Sequence, residues 1–313
     1  MTATLVQRWL DTGALELPLP GSGRTLLRWR KLAELSEIDV VAGRLAEAHT
    51  DAVAILAELS GRPALPGRLW GVWAAEAPGA AVTARLEGDV ASLSGTKAWC
   101  SGAGLCSDAL VTAVTATGER GLYAVDLRGP GVHPLPSTWR NAGMAESDTR
   151  SVQFTAAPAV LVGRLGDYLR RPGFWHGAAG VAACWLGAAR AVAAPLYRAV
   201  CDNDARGSGD PHAQAHLGAA DAALAAAEAL LARTAEQIDA DPDGDHGEVA
   251  ARRLRAVVET AVDEVIARAA RALGPAPLAL DAAHARRVAD LTMYIRQSHA
   301  EKDLAALGRL VAR

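Results

Sequence analysis

The sequence has no block of basic residues. Lysine and arginine number 32 against 35 aspartates and glutamates, for a net charge of −3 over 313 residues. A basic footprint is missing, so nucleic acid is not an expected partner. Cysteine is sparse. Cys100, Cys106, Cys184 and Cys201 form no Cys-x-x-Cys pair and have no histidines at zinc-ligand spacing. That excludes the common zinc patterns and predicts reduced, mostly buried thiols in a cytoplasmic protein. The opening Met-Thr-Ala-Thr-Leu-Val-Gln-Arg-Trp-Leu lacks a basic start followed by an apolar core, so no secretory leader is expected. No uninterrupted apolar stretch reaches the roughly 20 residues needed to span a bilayer. The alanine-rich run at 178–196 contains Arg190 and reads as helical core. Asp239, Asp241, Asp243 and Gly244 begin like a calcium loop, but Pro242 interrupts it and Ala250 stands at the closing glutamate position. A hydrated turn is expected there, and no metal site.

Half of the residues are apolar and 21% are charged, as in an ordinary folded chain with enough length for a sizeable core and about two domains. Three textures follow one another. Residues 24–60 read as helix, with Leu32, Leu35, Ile38, Val41 and Leu45 at helical spacing and Ser60-Gly61-Arg62-Pro63 as the stop. Residues 69–162 alternate short apolar runs, at 82–86, 90–93, 109–114, 121–127 and 151–154, with turns such as Glu87-Gly88-Asp89, which predicts a small barrel or sandwich. Beyond 172 the texture is helical again. Four long helices are expected near 174–203, 211–240, 246–273 and 279–311, joined by short Gly, Pro and Asp connections into a bundle.

Helices, then a β-domain, then a bundle is an uncommon order, and short motifs inside it sharpen it. Gly95, Lys97, Trp99, Cys100, Ser101 and Gly102 resemble the Gly-x-Lys-x-Trp segment of the acyl-CoA dehydrogenase family of flavoproteins. Ala75-Glu76-Ala77-Pro78-Gly79 is similar to that family's Thr-Glu-Pro-x-Ala-Gly loop. Gly143-Met144-Ala145-Glu146-Ser147-Asp148-Thr149 is similar to its Gly-Met-x-x-Ser-x-Thr segment. The resemblance covers most of the chain from about residue 24. It implies an α+β multidomain protein with a short N-terminal helical region (1–68), a central β-barrel or sandwich domain (69–165) and a C-terminal four-helix bundle (166–313).

The resemblance also implies an FAD-dependent oxidoreductase acting on a carbon–carbon bond of an acyl-CoA or acyl-carrier thioester, commonly as a homodimer or homotetramer. Trp99 would cover one face of the flavin, Ser101 would lie near its reactive centre, and Gly102 and Ala75 would complete the cofactor contacts. An indole suits the apolar face of a flavin, and a hydroxyl and backbone N–H groups suit its polar edge. The departures are specific. The family's base is a glutamate at one of two places, which here hold Gly177 and either Ile295 or Ser298. His176, His299 and Glu301 are therefore the candidate catalytic groups. Two alternatives stand beside the dehydrogenase: a flavin monooxygenase of the same fold, which needs no such base, and a degenerate member that binds without turnover. Trp139-Arg140-Asn141 reads equally as ligand-facing or as a plain loop.

Overall fold

The computed structural model describes residues 1–61, 63–88 and 90–312. The turn residues Arg62 and Asp89 named above lie outside the described residues. In chain order the elements are α1 (Thr2–Asp11), α2 (Thr25–Ile38), α3 (Val40–Ser60), β1 (Trp70–Trp73), β2 (Val82–Glu87), β3 (Val90–Cys100), β4 (Asp108–Thr115), β5 (Arg120–Asp126), β6 (Val132–Pro134), β7 (Arg150–Leu161), α4 (Asp167–Arg170), α5 (Gly173–Ala205), α6 (Pro211–Ala240), α7 (Gly247–Leu273), α8 (Ala276–Leu280), α9 (Ala282–Tyr294) and α10 (Glu301–Val311). They fall into two compact units, one of Met1–Leu17, Leu45–Arg140 and Ala145–Phe174, the other of Pro18–Arg44, Asn141–Met144 and Trp175–Arg313.

The first unit is built on a closed sheet. β2 pairs with β3, β3 with β7, β7 with β5, β5 with β4, and β4 returns to β2, while β1 adds to β4 and β6 to β7. Closure leaves the ring without a free edge. Its interior holds Leu93, Val111, Tyr123, Val125, Val152 and Phe154. The alternate residues Leu110 and Leu122 point outward and pack on Ala52, Ile55 and Leu56 of α3. Both faces of β4 are covered, which is why it reads as an apolar run without alternation. β3 is longer than the 90–93 stretch and runs to Cys100 through two irregularities in its pairing with β7. Gly95 makes the first possible. Its φ is +118°, and a Cβ there would lie 2.2 Å from the Ala81 carbonyl oxygen. Near its end this unit buries a charge. The Arg171 side chain is 3% exposed, lies 2.6 Å from Glu58 and 3.7 Å from Asp51, and sits over the Tyr168 ring. Glu58 also accepts the Gly173 N–H, satisfying one donor at the start of α5.

The second unit packs α2 with the long helices α5, α6 and α7. Tyr197 donates to Asp221 at 2.6 Å and Arg190 pairs with Glu228 at 2.7 Å between α5 and α6. Trp29, Leu32, Trp185, Leu254 and Val258 are buried. The single helix expected over 24–60 is two. Asp39 has extended backbone, and its side chain accepts the Ala42 N–H, so an aspartate inside an apolar run acts as the N-cap of α3. The fourth long helix expected over 279–311 is also interrupted. Asp281 caps α9 by accepting from Ala283 and His284, and the chain breaks again at Ser298–Ala300, where Ala300 has φ +43°. Asp239, in the last turn of α6, accepts from the Gly23 and Thr25 N–H groups and the Thr25 hydroxyl and so anchors the start of α2. α5 and α6 are each long and apolar enough by composition to cross a membrane, but the most apolar stretch of α5 is 78% buried within the protein, as in a core helix.

Two outcomes are expected. Glu58→Ala leaves the buried Arg171, among the described residues, with the more distant Asp51 as its acidic partner and should lower stability by about 2–4 kcal/mol, read from urea unfolding. His284 is 3% exposed and its Nδ1 has no hydrogen-bond partner among the described residues. Burial pushes its pKa down, Arg287 and Arg198 add to the shift, and Asp281 opposes it. The unfolded chain then takes up the proton first, so stability should fall as pH drops below the ordinary histidine value of about 6.5. His284→Gln should flatten that slope in melts between pH 7 and 5; an unchanged slope refutes it.

Candidate functional site

The Gly95–Gly104 stretch is the end of β3 and the loop that follows it. Trp99 has φ +61°, a left-handed conformation uncommon for a bulky residue, and its side chain is 55% exposed. An exposed indole on a strained strand end is open to a flat partner. Behind it the chain is locked. Gly102 N–H donates to the Ser147 carbonyl at 2.7 Å, Ala103 N–H to the Asp148 carbonyl at 3.2 Å, and Gly104 N–H to the Asp148 carboxylate at 2.7 Å. Arg150 pairs with the other oxygen of the Asp148 carboxylate. The Ser101 carbonyl accepts from the Trp73 indole at 2.9 Å. Two motifs that were separate in sequence, Gly95–Gly102 and Ser147–Thr149, are thus brought together.

These bonds decide which polar groups are left for a ligand. The N–H groups of Ser101, Gly102, Ala103 and Gly104 are all engaged within the protein. The Ser101 hydroxyl lies 3.0 Å from the Thr149 hydroxyl, which lies 2.7 Å from that of Ser147. A chain of three hydroxyls can pass a proton along and donate or accept at its Ser101 end. Gly102 serves the loop crossing. Ala75 lies exposed in the loop after β1 and carries no polar side-chain atom, and its neighbour Glu76 pairs with Arg120. Lys97 turns inward, with Nζ 2.7 Å from the Thr112 hydroxyl and 3.1 Å from its carbonyl oxygen. Burial lowers the pKa of Lys97, and burial pushes the Cys100 thiol up to about 12, so Cys100 is an inert packing group.

The catalytic candidates belong to the second unit. His176 is buried in the first turns of α5. His299 and Glu301 stand at the corner that opens α10. His299 is exposed, its N–H donates to Asp303, and its ring nitrogen lies 3.6 Å from the same carboxylate. Glu301 is exposed. The corner is held from α7: Arg255 lies over the Trp185 ring at 4.5 Å and donates to the Ala178 and Gln297 carbonyls, and Arg252 lies over Trp175 and pairs with Asp303. Ile295, one of the two alternative matches for the later of the family's base positions, is 1% exposed and packed in the core.

Asp290 is the buried carboxylate nearest that region of sequence, and it is structural. It accepts the Met144 N–H at 2.6 Å and pairs with Arg286, which also reaches Asp39. Burial raises its pKa. Gly143 lies so close to α9 that a Cβ would be 2.1 Å from the Ala289 carbonyl oxygen. From sequence, Trp139 reads equally as ligand-facing or as part of a plain loop. In the structure its ring meets that of Trp99 at 6.2 Å between centroids and 87° between planes. No spacing signal could have found this, because forty residues separate the two tryptophans.

No family model and no curated protein sequence matches this chain. Its fold is shared by solved structures. One is described as the electron transferring flavoprotein of Acidaminococcus fermentans, at TM-score 0.84 and 18% identity, covering 98% of this chain and 89% of that one. Another is the Tcur3481-Tcur3483 steroid ACAD G363A variant, at 0.78 and 22%, covering 99% and 88%. A third is TdsC of Paenibacillus sp. A11-2, described as a dibenzothiophene monooxygenase and seen with FMN and indole, at 0.77 and 19%, covering 90% and 82%. The chain therefore has the acyl-CoA dehydrogenase-like fold.

Proposed function

We propose that this chain is a flavin-dependent oxidoreductase and that the ring of the flavin lies against Trp99. The observation that carries this is the platform: an indole 55% exposed at a left-handed position, followed two residues on by Ser101, whose hydroxyl ends a three-hydroxyl chain. An apolar face next to a single polar edge group matches a ring that is apolar on its faces and polar along one side. Trp99 binds and orients the ring. Ser101 meets its edge with a hydrogen bond whose direction Thr149 and Ser147 set. When bound, the flavin supplies two-electron transfer or the activation of dioxygen. The resemblance implies FAD, while TdsC, which shares the fold, is described with FMN.

The finer chemistry divides on the base. Oxidation of an acyl thioester needs a group to take the α-proton, within hydrogen-bond reach and tuned towards working pH. The places matched to that base hold Gly177 and either Ile295 or Ser298, and Asp290 is committed to Met144 and Arg286. That favours oxygen transfer, a monooxygenase chemistry in which no such carboxylate is required, over dehydrogenation of an acyl-CoA or acyl-carrier substrate. His176 and His299 remain the candidate proton-handling groups. A homodimer or homotetramer in the cytoplasm completes the proposal; the exposed alanine face of α6, from Ala215 through Ala222 to Ala229, supports burial against another copy.

Visible absorbance of the purified protein tests the cofactor. Bound FAD or FMN is expected, and a protein that stays colourless after incubation with both sinks the proposal. Trp99→Ala should weaken flavin binding about tenfold, from the stacking energy it removes. Oxygen consumption with reduced flavin, without bleaching by a panel of acyl-CoA thioesters, is expected for the oxygen-transfer chemistry. Anaerobic bleaching by a thioester would show the dehydrogenase instead.

A further inference from the structure

We infer that Trp139 is the second aromatic contact of the flavin site, a cofactor-positioning residue that fixes the plane of Trp99; this rests on the proposal that Trp99 carries a flavin. Trp99 stands in a strained backbone conformation with more than half of its side chain open, so its neighbours must set its ring orientation. Trp139 does so with a perpendicular ring 6.2 Å away, within the range of favourable edge-to-face pairs.

The loop that carries Trp139 is itself anchored. Leu135 N–H donates to the Ser151 carbonyl at 2.8 Å and so continues the β6–β7 pairing, and Trp139 N–H donates to the Ser137 hydroxyl. Because the rings are perpendicular, the edge of one covers at most one face of the other. Trp99 keeps a face for a flat ligand while Trp139 prevents the indole from swinging away. Two electron-rich indoles beside a flavin also oppose the negative charge that the ring gains on reduction, so the pair holds the midpoint potential down. Arg140, next along the chain, is exposed.

The experiment compares the wild type with Trp139→Ala and Trp139→Phe. The far-ultraviolet circular dichroism of the apoprotein should show the exciton couplet of two interacting indoles, lost in both variants; this readout needs no flavin. In Trp139→Ala, FMN or FAD affinity should fall three- to tenfold and the midpoint potential should rise, with Trp139→Phe recovering most of both. A purely structural role would change melting temperature and leave the potential in place. If the wild type binds flavin and Trp139→Ala matches it in affinity and potential, the inference is wrong and the flavin proposal stands. If the couplet is present but neither FMN nor FAD binds, the flavin proposal has failed and takes this inference with it.

Discussion

The hydrogen bond from Gly102 N–H to the Ser147 carbonyl is the contact on which the platform depends. β3 and β7 pair until Cys100 meets Arg150, and beyond that point nothing in a sheet would keep their ends together. The crossing of the two loops does it instead, with Ala103 and Gly104 adding bonds to Asp148. It consumes the backbone donors of the loop. The Trp99 ring stays more than half exposed, and the half-buried Ser101 hydroxyl lies against that of Thr149. The strain at Trp99 and at Asp148, φ +61° and +47°, persists because closed-barrel pairing on one side and the loop crossing on the other over-determine the backbone.

The second unit shows the same economy with carboxylates. Asp39 caps α3 and holds Arg286, Asp239 anchors α2, Asp281 caps α9, Asp290 receives Met144, and Asp303 joins Arg252 to the His299 corner. Each is occupied with holding backbone or an arginine. Arg252 and Arg255, stacked on Trp175 and Trp185, extend this to the start of α10.

Much of the fold was legible from composition and periodicity. The switch from helical spacing to short apolar runs and back marks the barrel, and Asp210-Pro211 and Gly274 mark helix ends where the structure has them. Asp39 and Asp281 were legible in principle as N-caps, yet the apolar periodicity around them outweighed a single polar residue. β1 and β6, of four and three residues, were too short to announce themselves, since strands of that length exist only through their partners.

The sequence by itself determined which residues stand at the motif positions: Trp99 and Ser101 where the resemblance implies a flavin contact, and Gly177 and either Ile295 or Ser298 where it implies the glutamate. Both are statements about residue identity at a motif position. The tertiary structure decided how those residues are used. It turned Lys97 inward, spent the glycine-loop amides on Ser147 and Asp148, and stood Trp139 against Trp99 across forty residues of chain. Such pairings arise when strand ends and loops converge in a closed barrel, and nothing in local spacing encodes that convergence.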